Sequence, residues 1–233
     1  MVEPPKKTLQ AQGMAPLRFT VGAATFDTRY SFTAQFVRGA EMFARRAAEI
    51  EAGHAAAPAT DALQAEHRAM VAAAIMQASA ALESDVAEVL LHGPHYHRGG
   101  TEENRAAQAR LQPFAELVDR QPLEKRHGLV LKLLGLPGET KGCEPFQSMK
   151  LAVSLRNELT HYKSLMSSER AQASLMRALE ALRHAPPPFL PPGAAFFPFR
   201  CLSAARAAWA AATARETISR FHELLGSPSS PLW

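Results

Sequence analysis

Hydrophobic residues recur at helical spacing through most of the chain. Between Tyr30 and Ala52 they return every three or four positions, and Gly53 supplies a stop. A longer repeat begins at Asp61, a good N-cap residue, and reaches Leu91, which makes it the best candidate for the most buried helix. Further helices are predicted over residues 101–119 with a bend at Pro113, and over 123–134, 144–166 and 168–184. A final helix is predicted from about Ala195 or Arg200 to Leu225. The pattern predicts an all-α fold built as a helical bundle.

The two ends of the chain differ from this helical pattern. Residues 1–29 contain adjacent prolines and scattered polar positions, which is typical of a mobile leader, although the alternation of Leu17, Phe19 and Val21 allows a short strand or hairpin. Residues 227–233 are expected to form a frayed tail, which leaves 30–226 as the helical domain. Within it, the proline-rich connector at 184–193 cannot be helical, and we expect it to pack back over the helices.

Composition and charge narrow the function classes. Hydrophobic residues make up 47% of the chain but aromatic residues only 7%, and alanine-rich stretches suit packed helices better than a sheet. The net charge of +4 permits a polyanion such as RNA to bind. No apolar run resembles a secretion signal or a membrane span, and the two cysteines lack the spacing of a zinc ribbon. We therefore expect a cytoplasmic protein that does not enter a membrane.

The segment around residues 151–163 carries the candidate chemistry. On a helical wheel, one stripe is apolar and predicts the core face, with the members Leu151, Leu155, Leu159, Tyr162 and Met166. Asn157 and His161 neighbour each other on the opposite side, and Arg156 flanks them. Because Met149, Val153 and Thr160 share that second side, we expect it to pack against a partner subunit.

The string Arg156-Asn-Glu-Leu-Thr-His161-Tyr-Lys resembles the motif of the HEPN superfamily, helical domains defined by an arginine, a polar residue directly after it, and a histidine after four to six intervening positions. The run from Ala73 to Glu83 looks like the first long helix of such domains. The run that starts at Ala205 looks like the closing helix, so the resemblance covers about residues 30–226. It implies a metal-independent endoribonuclease that works as a homodimer, without a cofactor, in a defence or toxin–antitoxin system.

The chemistry of these residue types agrees with that resemblance. RNA cleavage without a metal needs a group that accepts the 2'-hydroxyl proton and a cation that stabilises the phosphate in the transition state. His161 would be the general base or acid, Arg156 the phosphate clamp and Asn157 an orienting hydrogen-bond partner. One histidine per motif cannot easily serve as both acid and base, so two protomers are expected to share a site.

Three neighbouring residues are candidate substrate contacts. Lys163 could reach a phosphate in a positively charged groove, and Thr160 and Tyr162 lie beside it in the chain. Tyr162 also falls on the core stripe, where a tyrosine more often packs with its hydroxyl bonded. RNA, a second copy of the chain and a cognate antitoxin protein are the expected partners.

Two other readings of the motif remain open. In one, Arg156 pairs with a carboxylate such as Glu83 while Asn157 and His161 complete a buried hydrogen-bond network, and the protein is a catalytically inactive dimerisation or interaction module. In the other, Arg156 binds the phosphate of a nucleotide that is never cleaved. Geometry discriminates between them, because catalysis requires an accessible His161.

The remaining histidines are assigned no catalytic role. His92, His95 and His97 have spacing that could seat a metal, but they lie in a Gly- and Pro-rich loop without a carboxylate or cysteine group beside them, so no metal site is expected. His127 and His222 are single histidines within predicted helices, and we expect ordinary, partly exposed side chains there.

Overall fold

The fold was taken from a computed structural model that describes residues 19–21, 24–26, 31–55, 59–95, 101–138, 142–161 and 174–227. The described helices are α1 (Thr33–Gly53), α2 (Asp61–His92), α3 (Glu102–Leu111), α4 (Ala115–Asp119), α5 (Leu123–Leu134), α6 (Phe146–Thr160), α7 (Ser174–Ala181) and α8 (Ala204–Leu224). A 3-10 turn over Gln112–Phe114 separates α3 from α4, at the predicted bend. The all-α prediction is confirmed.

Two short strands precede the helices. β1 (Phe19–Val21) pairs antiparallel with β2 (Ala24–Phe26), with Phe19 opposite Phe26. The short hairpin suggested by the alternating residues is therefore present. The rest of the predicted leader over residues 1–29 lies outside the described residues, as does the tail after Ser227.

The centre of the fold consists of α1, α2 and α8, which pack along one another. Their contact surfaces are built mostly from alanine, with Ala40, Ala47, Ala74, Ala207 and Ala210 fully buried. Small side chains let helix axes approach closely, and alanine also has the highest helix propensity. By contrast, Phe32 and Met42, two larger hydrophobic residues of the helical pattern predicted between Tyr30 and Ala52, are 59% and 50% exposed. The core face of α1 is therefore formed mainly by alanines and not by these two residues.

A carboxylate of α2 completes the start of α1. Phe32 provides no side-chain cap there. Instead, Glu88 Oε1 accepts hydrogen bonds from the backbone nitrogens of Phe32 and Thr33, at 3.0 and 3.3 Å. An anion at a helix N-terminus satisfies free N–H groups and complements the helix dipole. The N-terminus of α1 is thus held by a residue more than fifty positions away in the sequence.

The second half of α2 forms a separate apolar cluster with α3, α4, α5 and the end of α8. Its buried members are Val86, Val89, Leu90, Leu111, Val118, Val130, Leu131, Phe221 and Leu225. His127 of α5 is also fully buried and stands edge-on to the ring of Phe221, with ring centroids 4.7 Å apart. The expectation of a partly exposed His127 was wrong.

The connector after α7 packs against the bundle, as predicted. The Phe189 ring meets the buried His67 ring edge-on at a centroid distance of 5.1 Å. His67 in turn lies 2.9 Å from Glu51 at the end of α1, and Glu51 also accepts a hydrogen bond from the backbone nitrogen of Ala204.

In the described part of the chain, no helix is long and apolar enough to cross a bilayer.

Candidate functional site

Arg156 projects from α6 toward α2, where its Nη2 forms an ion pair with Glu83 Oε1. The two side chains are 24% and 43% exposed, so solvent reaches both groups. The pairing of Arg156 with Glu83, which was predicted for an inactive interaction module, is therefore present. It holds the guanidinium in place but engages only one of its N–H groups in the described contacts, and arginine has five.

Asn157 and His161 lie on the exposed side of α6. Thr160 is the last helical residue, and His161 follows it as the C-cap, with its backbone nitrogen still bonded to the Asn157 carbonyl at 2.8 Å. His161 is therefore one helical turn from Asn157 and open to solvent. The alternative of an inactive module also predicted that Asn157 and His161 complete a buried hydrogen-bond network. That network does not form, because both residues are exposed.

The predicted second apolar face of α6 is absent. Met149 and Val153 are 1% and 4% exposed and belong to the main core of the same chain. α6 packs against α2, α5, α7 and α8, so a wide arc of its circumference is buried instead of one stripe. The expectation that Met149 and Val153 face a partner subunit was wrong. The exposed side that carries Asn157 and His161 is polar.

The candidate substrate contacts are only partly described. Thr160 is exposed, and its hydroxyl donates a hydrogen bond to the Arg156 carbonyl at 2.8 Å. This bond ties the last turn of α6 together beneath His161. Tyr162, Lys163 and the predicted continuation of the helix to Met166 lie outside the described residues, and α6 ends at Thr160.

The predicted histidine loop is organised by a buried amide. The side chain of Asn104 in α3 accepts a hydrogen bond from the backbone nitrogen of His95 and donates one to the His92 carbonyl, both at 2.8 Å. His97 lies outside the described residues. Among the residues that are described, no group of three His, Cys, Asp or Glu side chains could hold a metal ion.

The structure contains a second polar cluster, a buried pair of side chains that the sequence pattern had not led us to predict. His222 of α8 and Asp85 of α2 are both fully buried, and His222 Nε2 lies 2.8 Å from Asp85 Oδ1. Burial raises the pKa of Asp85, whereas for His222 the lowering by burial is outweighed by the facing carboxylate, which raises its pKa above the ordinary value. The expectation of a partly exposed His222 was wrong.

The signal for this buried pair was present in the sequence spacing. Asp85 falls between Leu82 and Val89 on the buried side of α2, at offsets of three and four. His222 falls in the same way between Ile218 and Leu225. Polar residues at core positions of two long helices indicate a paired, buried contact.

A comparison of this chain with protein-family models, with curated proteins and with solved structures found no match.

Proposed function

We propose that this protein is a metal-independent endoribonuclease of HEPN type, with Arg156, Asn157 and His161 as its catalytic residues. The observation that supports the proposal best is the exposure of His161 at the end of α6, one turn from the exposed Asn157 and on the same helix as the fixed Arg156. A general base must reach the proton that it removes, and these positions allow that.

Each residue has a defined part in the proposed reaction. His161 accepts the proton of a ribose 2'-hydroxyl, and the 2'-oxygen attacks the adjacent phosphorus. The bond between phosphorus and the 5'-oxygen breaks, and that oxygen takes a proton from the His161 of a second copy. Arg156 donates its remaining N–H groups to a nonbridging phosphate oxygen, and Asn157 orients the phosphate. The products are a 2',3'-cyclic phosphate and a 5'-hydroxyl.

The homodimer belongs to this proposal because of the proton balance. One step removes a proton and the other supplies one, and each copy of the motif contains a single histidine. In a two-fold symmetric dimer the same surface of both copies meets, so two α6 helices would bring two histidines to one phosphate. RNA is the substrate, and a cognate antitoxin protein in a defence system would cover the same face.

The ion pair of Arg156 with Glu83 supports a second candidate function. A guanidinium that links α6 to α2 contributes to structure whether or not any RNA is bound. The protein would then be a catalytically inactive interaction module that uses the polar face of α6 to bind a partner. This reading requires no turnover and no role for the His161 imidazole.

The test is RNA cleavage in excess chelator by the wild-type protein and by His161→Ala, with analysis of the product ends. The proposal predicts that the wild type cuts and leaves 2',3'-cyclic phosphates, and that His161→Ala loses activity by a factor of about 100 or more. His54→Ala, at the end of α1 and outside the motif, is the matched control and should cut normally. No cutting by folded, inhibitor-free wild type would favour the interaction module.

A further inference from the structure

A cleft opens between α5 and the start of α6, with a volume of about 740 Å³. Three lysines line it, Lys125 and Lys132 from α5 and Lys150 from α6. Lys125, Leu129 and Lys132 are spaced by four and three residues, so they share one face of α5, and the half-buried Leu129 lies between the two lysines. Two helices thus direct cationic side chains into one space.

Two glycines outside the helices also line the cleft. Gly138 and Gly142 belong to the segment between α5 and α6, and both line the cleft. A Cβ atom at Gly138 would lie 3.4 Å from the Gly128 carbonyl oxygen, so the backbone at Gly138 lies close against α5. Gly142 has a φ of +84°, and its carbonyl accepts a hydrogen bond from the Gln147 side chain. Glycines have no side chain, so a ligand can approach the backbone closely at these positions.

The positive charge of the cleft is not neutralised within the described part of the chain. The side chains of Lys125, Lys132 and Lys150 are exposed, and none of them forms an ion pair with a described carboxylate. Among the described residues that line the cleft, one is acidic, Glu124, and three are cations. By comparison, Arg126 of α5 is paired with Asp119 at 2.8 Å. Three unpaired cations around one concavity attract a ligand with several negative charges.

The part of α6 that lines the cleft and the exposed Asn157 lie on the same side of that helix. Gln147, Lys150, Ser154 and Asn157 recur at spacings of three and four residues and so lie along one side of the helix. With a rise of about 1.5 Å per residue, Lys150 is about 10 Å from Asn157 and about 16 Å from His161 along the axis. A strand of a few nucleotides can span this distance.

We propose that the lysine cleft binds the phosphate backbone of single-stranded RNA and guides the strand along the exposed side of α6 to His161. This inference rests on the proposed ribonuclease function and names where its substrate is held. The lysines neutralise phosphates without reading bases, and Leu129 offers an apolar surface to a base or ribose. The cleft therefore supplies affinity, whereas Arg156 and His161 act on the bond that is cut.

The test measures binding of a fluorescent oligouridylate by the full-length His161→Ala protein over a range of salt concentrations, so that cleavage does not interfere. One variant adds Lys125→Gln, Lys132→Gln and Lys150→Gln. The matched control adds Arg38→Gln, Arg45→Gln and Arg177→Gln, which removes the same number of exposed positive charges from α1 and α7. Circular dichroism and thermal unfolding establish that both variants are folded.

The cleft variant is expected to bind at least 10-fold more weakly than its parent at moderate salt. Its slope of log affinity against log salt should fall by about 2, since each lost phosphate contact on a single strand contributes about 0.7. The control should stay within about 3-fold of the parent. Equal weakening of both variants would overturn the proposal, as would stronger competition by polyglutamate than by unlabelled RNA.

Failure of this proposal can be told apart from failure of the proposed function. With active His161, the cleft variant should raise KM for RNA cleavage and leave kcat nearly unchanged, because the lysines bind remote parts of the substrate. Cleavage by the wild type with unchanged KM in the cleft variant would refute the lysine cleft alone. Lysine-dependent RNA binding without any cleavage would support the cleft and refute the ribonuclease.

Discussion

Arg156 of α6 and Glu83 of α2 form an ion pair across 73 residues of sequence. The pair connects the helix that carries the motif to the longest helix of the bundle. It therefore fixes the position of the guanidinium, which in the proposed reaction would lower the entropic cost of binding a phosphate there. The same pair also gives Arg156 a structural role. Loss of activity in an Arg156 variant would therefore not by itself distinguish a catalytic role from a structural one.

A double-mutant cycle measures that structural part. Arg156→Met, Glu83→Gln and the double variant should give a coupling free energy of about 0.5 to 1 kcal/mol in urea unfolding, because the pair is partly exposed and screened by solvent. The control cycle uses Arg120 and Glu116, whose side chains are 79% and 90% exposed, and should give a smaller coupling. A coupling near zero for Arg156 and Glu83 would show that the pair does not stabilise the fold.

The buried pair of Asp85 and His222 should matter more for stability. Asp85→Ala leaves a buried imidazole without its carboxylate and is expected to lower the free energy of unfolding by about 3 to 5 kcal/mol. Replacing both residues by leucine removes the desolvated polar groups together, so the double variant should be more stable than the single one. Equal stability of the single and double variants, measured by chemical denaturation, would argue against a coupled buried pair.

Stability should fall in mild acid because of His127. Burial lowers the pKa of His127 from 6.5 to about 3. The unfolded chain therefore binds a proton that the folded protein excludes, so this stabilising contribution is present above pH 6.5 and is lost as the pH falls toward 3. At about 1.4 kcal/mol per pH unit, the loss near pH 5 is about 2 kcal/mol.

The variant His127→Gln isolates this effect, because glutamine does not titrate. Its free energy of unfolding should decrease by about 2 kcal/mol less than that of the wild type between pH 7 and pH 5. Contributions from groups that do not interact with His127 cancel in this difference, whereas the smaller interaction of His127 with His222 does not. Parallel stability profiles for the two proteins would contradict the assignment of a depressed pKa to His127.

The alanine contacts of the central helices should tolerate no added volume. Ala74 is fully buried in α2, and Ala74→Leu is expected to cost about 1 to 3 kcal/mol through overpacking. Ala106→Leu makes the same substitution at an exposed position of α3 and should change stability by less than about 0.5 kcal/mol. Thermal unfolding of the two variants provides the comparison. Similar melting temperatures would mean that the bundle can separate its helices at little cost.

Local patterns predicted most of the helix positions. The prediction of a helix at residues 123–134 matches α5, and Gly135 ends it with a φ of +74°, a conformation that glycine adopts readily. The bend at Pro113 and the non-helical connector before α8 were also predicted correctly. These features depend on hydrogen bonding and backbone preferences within a few residues, so they can be predicted from the sequence.

The sequence by itself determined the all-α class, the approximate ends of the helices and the turn-by-turn spacing of Arg156, Asn157 and His161. Only the tertiary structure decided which faces are buried, because that depends on what packs around each helix. Met149 and Val153 became core residues since four helices surround α6. The pairing of Arg156 with Glu83 was one of the alternatives that the sequence left open, and the packing of α2 beside α6 decided it. The lysine cleft likewise exists because α5 and α6 meet, which no local pattern encodes.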